Sequence, residues 1–219
     1  MIPLFPLGTV LFPGLLLPLN VFEPRYRRLV EDLLERPEER RHFGVVAIRQ
    51  GREVGVDGVQ ALHPVGTAAH LRRVDRQDDG RYHLVTTGSR RFRLGELDDV
   101  SAPYLQARVQ WLDEAAGDDP ESVVPAVQAA FSRYLGALGT ARAVEIEVPD
   151  LPAEPQLLSY LVASTVVVDL PDKQALVEAP TTGQRLRAEL ALLRREVVLL
   201  TTLTAAPAPE LTRVPLSPN

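Results

Sequence analysis

Cysteine is absent from the 219 residues, which excludes disulfides, thiolate metal sites and cysteine nucleophiles. Lysine is nearly absent too: Lys173 is the only one, and every other strong base is an arginine, a bias that reflects genome composition more than function. The sequence holds no Gly-Lys pair, so no Walker A loop is available to cradle phosphates. No uninterrupted apolar run approaches the roughly 18 residues that cross a bilayer. The four histidines, His42, His63, His70 and His83, form neither an H-x-x-x-H nor an H-E-x-x-H pair. His70 and His83 flank a turn at Asp79-Gly80 and are the one pairing that neighbouring strands could bring together, though a structural or surface role suits them better. Asp98-Asp99 and Asp118-Asp119 read as solvated turns, and no pair of carboxylates stands out for acid/base work. Lys173 lies in a polar helix start and is a poor general base. The expectation is a chain with no catalytic residues, metal or cofactor.

What is present suits a protein with a substantial core in one or two domains: 45% of residues are hydrophobic, and mean hydropathy is near zero. The apolar start lacks a basic leading region, is broken by prolines and meets no A-x-A-like cleavage site before Arg25, so a cytoplasmic protein is expected. Net charge is −5, which gives little long-range attraction for nucleic acid. Arginines do cluster at Arg25/Arg27/Arg28, Arg72/Arg73 and Arg90/Arg91/Arg93. Strand alternation would put Arg90 and Arg91 on opposite faces, so they do not make one patch.

Local patterning is clearest at the start. Ile2-Pro-Leu-Phe-Pro-Leu-Gly and Leu11-Phe-Pro-Gly cannot be helical, because each proline removes a donor and pushes its predecessor to the extended region. Short edge strands broken by turns are expected. Pro24 then suits a first helical position, and Tyr26, Leu29, Val30, Leu33 and Leu34 repeat at helical spacing until Pro37. From Phe43 to Leu112 several short strands follow with no long helix between them. Ala68–Val74 and Arg81–Thr87 flank Asp78-Asp79-Gly80 as a hairpin, Gly88-Ser89 is expected to bend the chain into a separate strand Arg90–Leu97, and Tyr104–Leu112 is another. That pattern favours a small antiparallel barrel over a parallel α/β sheet.

The order of these pieces carries a resemblance. PLFPLGTVLFPGLLLPLNVFEPRYRRLV resembles the opening of the amino-terminal, substrate-binding domain of the ATP-dependent Lon proteases. Phe43-Gly-Val-Val-Ala-Ile, His63-Pro-Val-Gly-Thr-Ala-Ala-His-Leu, Tyr82-His-Leu-Val-Thr-Thr-Gly-Ser-Arg-Arg-Phe-Arg-Leu and Pro103-Tyr-Leu-Gln-Ala-Arg-Val are similar to the family's later strands, in its order. Leu170-Pro-Asp-Lys-Gln-Ala-Leu-Val-Glu and Gln184-Arg-Leu fit its helical part. The resemblance implies an α+β chain: a PUA-like antiparallel β pseudo-barrel with one helix, then a helical bundle. Domain boundaries are expected at 1–115 for the barrel and 116–205 for the helices, with a proline-rich tail at 206–219.

The second half reads as helices on its own terms. The acidic connector Asp113-Glu-Ala-Ala-Gly-Asp-Asp-Pro ends the strands. Val123, Val124, Val127, Ala130, Phe131, Tyr134, Leu135 and Leu138 make one apolar stripe. A loop through Pro149, Pro152 and Pro155 precedes a helix at Gln156–Asp169, and Asp172–Glu178 is a short one. In Thr182–Leu203, Leu186, Leu190, Leu193, Val197 and Leu200 are spaced four, three, four, three. Two uses compete, a bundle core and a self-association face; Leu192, Val198 and Leu199 widen the stripe and favour the core.

The resemblance further implies a non-catalytic module, apart from the family's ATPase and Ser-Lys peptidase, that binds unfolded or extended polypeptides, as an adaptor or delivery factor for a protease or chaperone. The expected surface is a crevice between barrel and helices. Candidate wall residues are Phe5, Phe12, Phe22, Tyr26 and Phe92, and the polar groups beside them are Glu23, Arg25, Arg90 and Arg91. For each aromatic, simple core packing is the competing role, and for the arginines a bracing contact between the first helix and the barrel. The alternatives are an RNA-binding PUA-like protein, which needs converging arginines and a stacking face, and a barrel-pocket binder of a small ligand. A cereblon-like aromatic cage is missing, since Trp111 is the only tryptophan.

Overall fold

Strand β1 (Ile2–Leu7) is buried along its whole length and is not an edge. It pairs parallel with β3 (His42–Gly51) from Leu4 to Leu7, and antiparallel with β7 (Gln106–Trp111) at Ile2 and Pro3. The two prolines fit because of where their missing donors would point. Leu4 sends its N–H to Leu105 O on the β7 side, so Pro6 faces that side beyond the last β7 pair, and Pro3 faces β3 before its first. No ladder bond is lost. The computed structural model describes residues 1–53, 59–147 and 150–205; Pro149 and the proline-rich tail 206–219 lie outside them.

The sheet closes on itself. Its order runs β1-β7-β6-β5-β3, with β5 at Val65–Arg76 and β6 at Tyr82–Asp98, and the β1–β3 pairing completes the ring. Every other pairing is antiparallel. β4 (Val59–Leu62) adds to β3, and β2 (Leu16–Val21) adds to β6. The bend expected at Gly88-Ser89 does not end the strand: β6 runs on for 17 residues. Its first part pairs with β2 and its last part with β7. Gly88 sits at the changeover, where it bonds Gly14 and Leu15 through its backbone. A Cβ there would collide with the Phe12 carbonyl, so the crossing strap requires glycine.

One apolar set fills the barrel: Leu4, Val46, Ala68, Phe92 and Ala107, one from each of the five ring strands. A second lies under helix α1 (Pro24–Leu34), which starts at its proline and turns Tyr26, Leu29, Val30 and Leu33 inward against Phe43, Val45, Leu71 and Leu84. Each such buried side chain contributes about 1.5–3 kcal/mol relative to exposure.

The helical half comprises α2 (Val124–Arg142), α3 (Pro155–Thr165), α4 (Leu170–Glu178) and α5 (Thr182–Ala205). Glu154 caps α3 by accepting from Gln156 and Leu157, and Asp169 caps α4 by accepting from the Asp172 N–H. Leu186 and Leu193 are fully buried against α2 and α3, with Leu190, Val197 and Leu200 packed behind them, so the four-three spacing serves the bundle's own core. Val198 and Leu199 stay exposed.

Candidate functional site

The expected crevice between barrel and helical bundle is filled. Phe12, Val65, Tyr160, Ala163, Leu176 and Val177 form a single buried cluster across that seam. The open apolar space lies on the other side of the first helix, around Tyr26. Tyr26 is held by stacking on Phe5, with centroids 4.2 Å apart at 22°, and Phe5 leans on Phe43. The Arg25 guanidinium covers the tyrosine ring at 4.6 Å and pairs with Glu23 at 3.0 Å.

Two adjoining hollows share Pro6, Glu23 and Tyr26. The smaller, about 210 Å³, is walled by Phe5, Leu7, Leu19, Val21 and Phe22. The larger, about 780 Å³, opens between α1, β4 and the β6–β7 turn, with Leu62, Leu97, Pro103 and Tyr104 on its walls. A cleft of this size matches sites for small molecules or a few side chains. Phe22 is 52% and Leu97 50% exposed, so both present apolar surface to solvent. Tyr104 is fixed by donating to Asp32 at 2.7 Å, and Asp32 also pairs with Arg28 at 2.8 Å.

Burial pushes the Tyr26 phenol up to about 12, against a smaller opposing effect from Arg25. Tyr104 is likewise pushed up to about 12, by burial and then by its bond to Asp32. Neither is ionised near neutral pH. Among the described residues no group of three His, Asp or Glu could hold a metal ion.

Of the sequence-derived candidates, Phe5, Phe22, Glu23, Arg25 and Tyr26 come together here. Phe12 and Phe92 do not. Phe12 is sealed in the seam against Tyr160, and Phe92 plugs the barrel at 0% exposure. Arg91 is also interior and ties the barrel to the helical half, not to the first helix. Its Nη1 donates to Val177 O and Ala179 O, both at 2.7 Å, and its other nitrogens meet Glu114. Glu114 is shared at 3.6 Å with buried Arg185, which stacks over Tyr160 at 4.0 Å and donates to Ser159 at 2.9 Å. Arg90 points out over Trp111. The histidine pairing differs as well: His70 faces His42 across β3–β5, while His83 faces Asp75. His70 and His83 do stand on neighbouring strands, but His70 pairs with Thr87 and His83 with Asp75, so the two are not opposite each other. Leu97 and Tyr104 were missed as wall residues, because a lone apolar residue near a turn carries no sequence signal; nothing but its place after Asp113 marks Glu114.

The profile of the ATP-dependent protease La (LON) substrate-binding domain matches residues 1–195. The chain belongs to that family. Lon protease 2 of Sorangium cellulosum is 33% identical over 205 residues, which is 91% of this chain and 25% of that protein. Lon protease 1 of Thermus thermophilus is 33% identical over 202 residues, with 90% and 25% covered. The chain thus spans about a quarter of the length of these Lon relatives, and the matching quarter holds this α+β domain. Among solved structures, a Lon N-terminal domain protein from Xanthomonas campestris superposes with a TM-score of 0.60 at 24% identity, covering 87% of this chain and 96% of that one. The N-terminal domain of Mycobacterium avium complex Lon protease gives 0.63 at 16% identity, covering 88% and 97%. These agree with the PUA-like barrel and helical annex of the Lon substrate-binding fold. Among the described residues no helix is long and apolar enough to cross a membrane.

Proposed function

We propose that this Lon-type domain recognises unfolded or extended polypeptides in the cytoplasm, without itself breaking bonds, and presents them to a protease or chaperone. The supporting observation is the cleft around Tyr26, where a rigid Phe5–Tyr26 stack forms the floor and Phe22 and Leu97 offer exposed apolar rims. An extended segment can place alternate side chains in the two hollows. The affinity expected is modest, since few contacts are made and the segment must be ordered on binding. Barrel (1–115) and helices (116–205) act in this reading as one rigid support. Nucleic acid is a poor occupant for a cleft rimmed by Glu23 and Asp99 in a chain of net charge −5.

The test is photo-crosslinking of a reduced, unfolded protein to the domain carrying a photoreactive group at position 22, with a second sample labelled at exposed Val198 on α5. Labelling that favours position 22 and is competed by apolar peptides supports the reading. Equal labelling at both positions, or none, removes it.

A further inference from the structure

A third hollow of about 640 Å³ shares no wall with the cleft. On β3, His42 stands on the face of Gly44 and Val46; on β5, His70 stands on the face of Ala68, directly opposite His42. Those are the faces that fill the barrel with Leu4, Phe92 and Ala107. The hollow is therefore the barrel's own mouth, a recurrent position for ligands, and its volume is in the small-molecule range. Trp111 forms one wall, with its ring 6.1 Å from Phe92 at 87° and 6.4 Å from His42.

The charges at this mouth are only loosely satisfied. Arg90 lies 5.4 Å from the Trp111 ring centre, and its carboxylate partner is Asp113 at 3.5 Å, whose side chain is 96% exposed. Such a solvated pair is worth little and exchanges readily. Arg72 donates to the Thr87 hydroxyl at 3.1 Å and has no carboxylate in ion-pair range among the described residues. Among the described residues Glu39 is the one acid lining the hollow, against Arg72, Arg90 and two imidazoles. His42 is held below its usual pKa, first by burial and then by Arg36 and His70. A chain of net charge −5 thus gathers cations beside a tryptophan.

We propose that the barrel mouth binds a small ring compound bearing a phosphate, of mononucleotide size, with the phosphate between Arg72 and Arg90 and the ring against Trp111. Arginine forks suit phosphate oxygens, and the imidazoles add N–H donors. A polynucleotide is disfavoured, because Glu39 and Asp113 flank the mouth.

Trp111 is the only tryptophan, so its fluorescence reads this site directly. The titration uses adenosine 5′-monophosphate, adenosine and inorganic phosphate, on the native chain and on the Arg72→Ala/Arg90→Ala variant. Both arginines are exposed, and circular dichroism checks the variant's fold. The expected result is a saturable response to the nucleotide, competed by phosphate and weakened about tenfold or more in adenosine or in the variant. Histidine proton NMR gives a second readout: His42 titrates at higher pH once the anion is bound. No response by either method at millimolar nucleotide, adenosine binding as tightly as its phosphate, or an unaffected variant would each overturn the proposal. So would far tighter, steeply salt-dependent binding of a single-stranded oligoribonucleotide.

Discussion

Arg91 and Glu114 form a two-pronged ion pair of 2.6 and 3.3 Å at the seam between the barrel and the helices, with the Arg91 side chain 1% exposed. The same guanidinium also satisfies two carbonyls at the α4–α5 connection. Removing the arginine leaves the Glu114 carboxylate and two carbonyl acceptors without their donor, whatever side chain fills the space. Arg91→Met, which removes one partner of the pair, should cost about 3–5 kcal/mol, and Arg91→Glu, which sets a second carboxylate beside Glu114, should cost at least as much or prevent folding. Urea denaturation measures both. An Arg91→Glu protein of native stability contradicts the brace.

Gly88 and Gly136 make a paired prediction. A Cβ at Gly88 strikes the Phe12 carbonyl, but at Gly136, inside α2, it meets nothing within 4 Å. Gly136→Ala should stabilise by about 0.5–1 kcal/mol through helix propensity alone. Gly88→Ala should destabilise by at least about 1 kcal/mol, since the strap or strand must shift. Thermal melts of the two variants should move in opposite directions.

Alkaline titration offers a third check, with two opposed effects. Lys173 is half-buried, donates to Ala163 O and Ser164 O, and has its pKa lowered to about 8, chiefly by desolvation. The unfolded chain therefore binds the extra proton between about 8 and 10.5, and this group's contribution to stability grows as pH rises through that window. Tyr26 and Tyr104 are raised to about 12, and Tyr160 is raised too, so above pH 10 the folded state keeps protons that the unfolded chain has lost. Their contribution falls with pH. Stability should rise and then decline, with Lys173→Met removing the rise. Absorbance of phenolate should show Tyr26, Tyr104 and Tyr160 ionising later than a free tyrosine. A featureless stability profile argues against both burials.

The sequence made the elements legible wherever one period ran undisturbed. Helix α1 begins at Pro24 and ends at Leu34 as its spacing dictates, and the four-three repeat of α5 found its core. Closure of the barrel was not legible, because the β1–β3 pairing joins Leu4 to Gly44 across a helix and a turn, and only the direction of missing proline donors allows an internal β1. Gly88 signalled a bend for the same reason it permits a crossing: glycine marks close backbone approach without saying which kind. Within the cleft, Phe5, Phe22 and Tyr26 stood out as aromatics near an apolar start. Phe12 and Phe92 carried the same signal yet line no part of the cleft; of the five only Phe22 is exposed, so aromaticity does not distinguish a wall from a plug.

The central claim is that the Tyr26 cleft grips apolar polypeptide segments. It is tested most directly by fluorescence anisotropy of a labelled, extended peptide rich in Leu and Phe, comparing the native chain with Phe22→Ser/Leu97→Ser. Both side chains are half-exposed, so the variant should fold and melt normally. The account predicts saturable binding that weakens about tenfold or more in the variant, from roughly 1 kcal/mol lost at each partly buried contact. Equal affinity in the two proteins would contradict it.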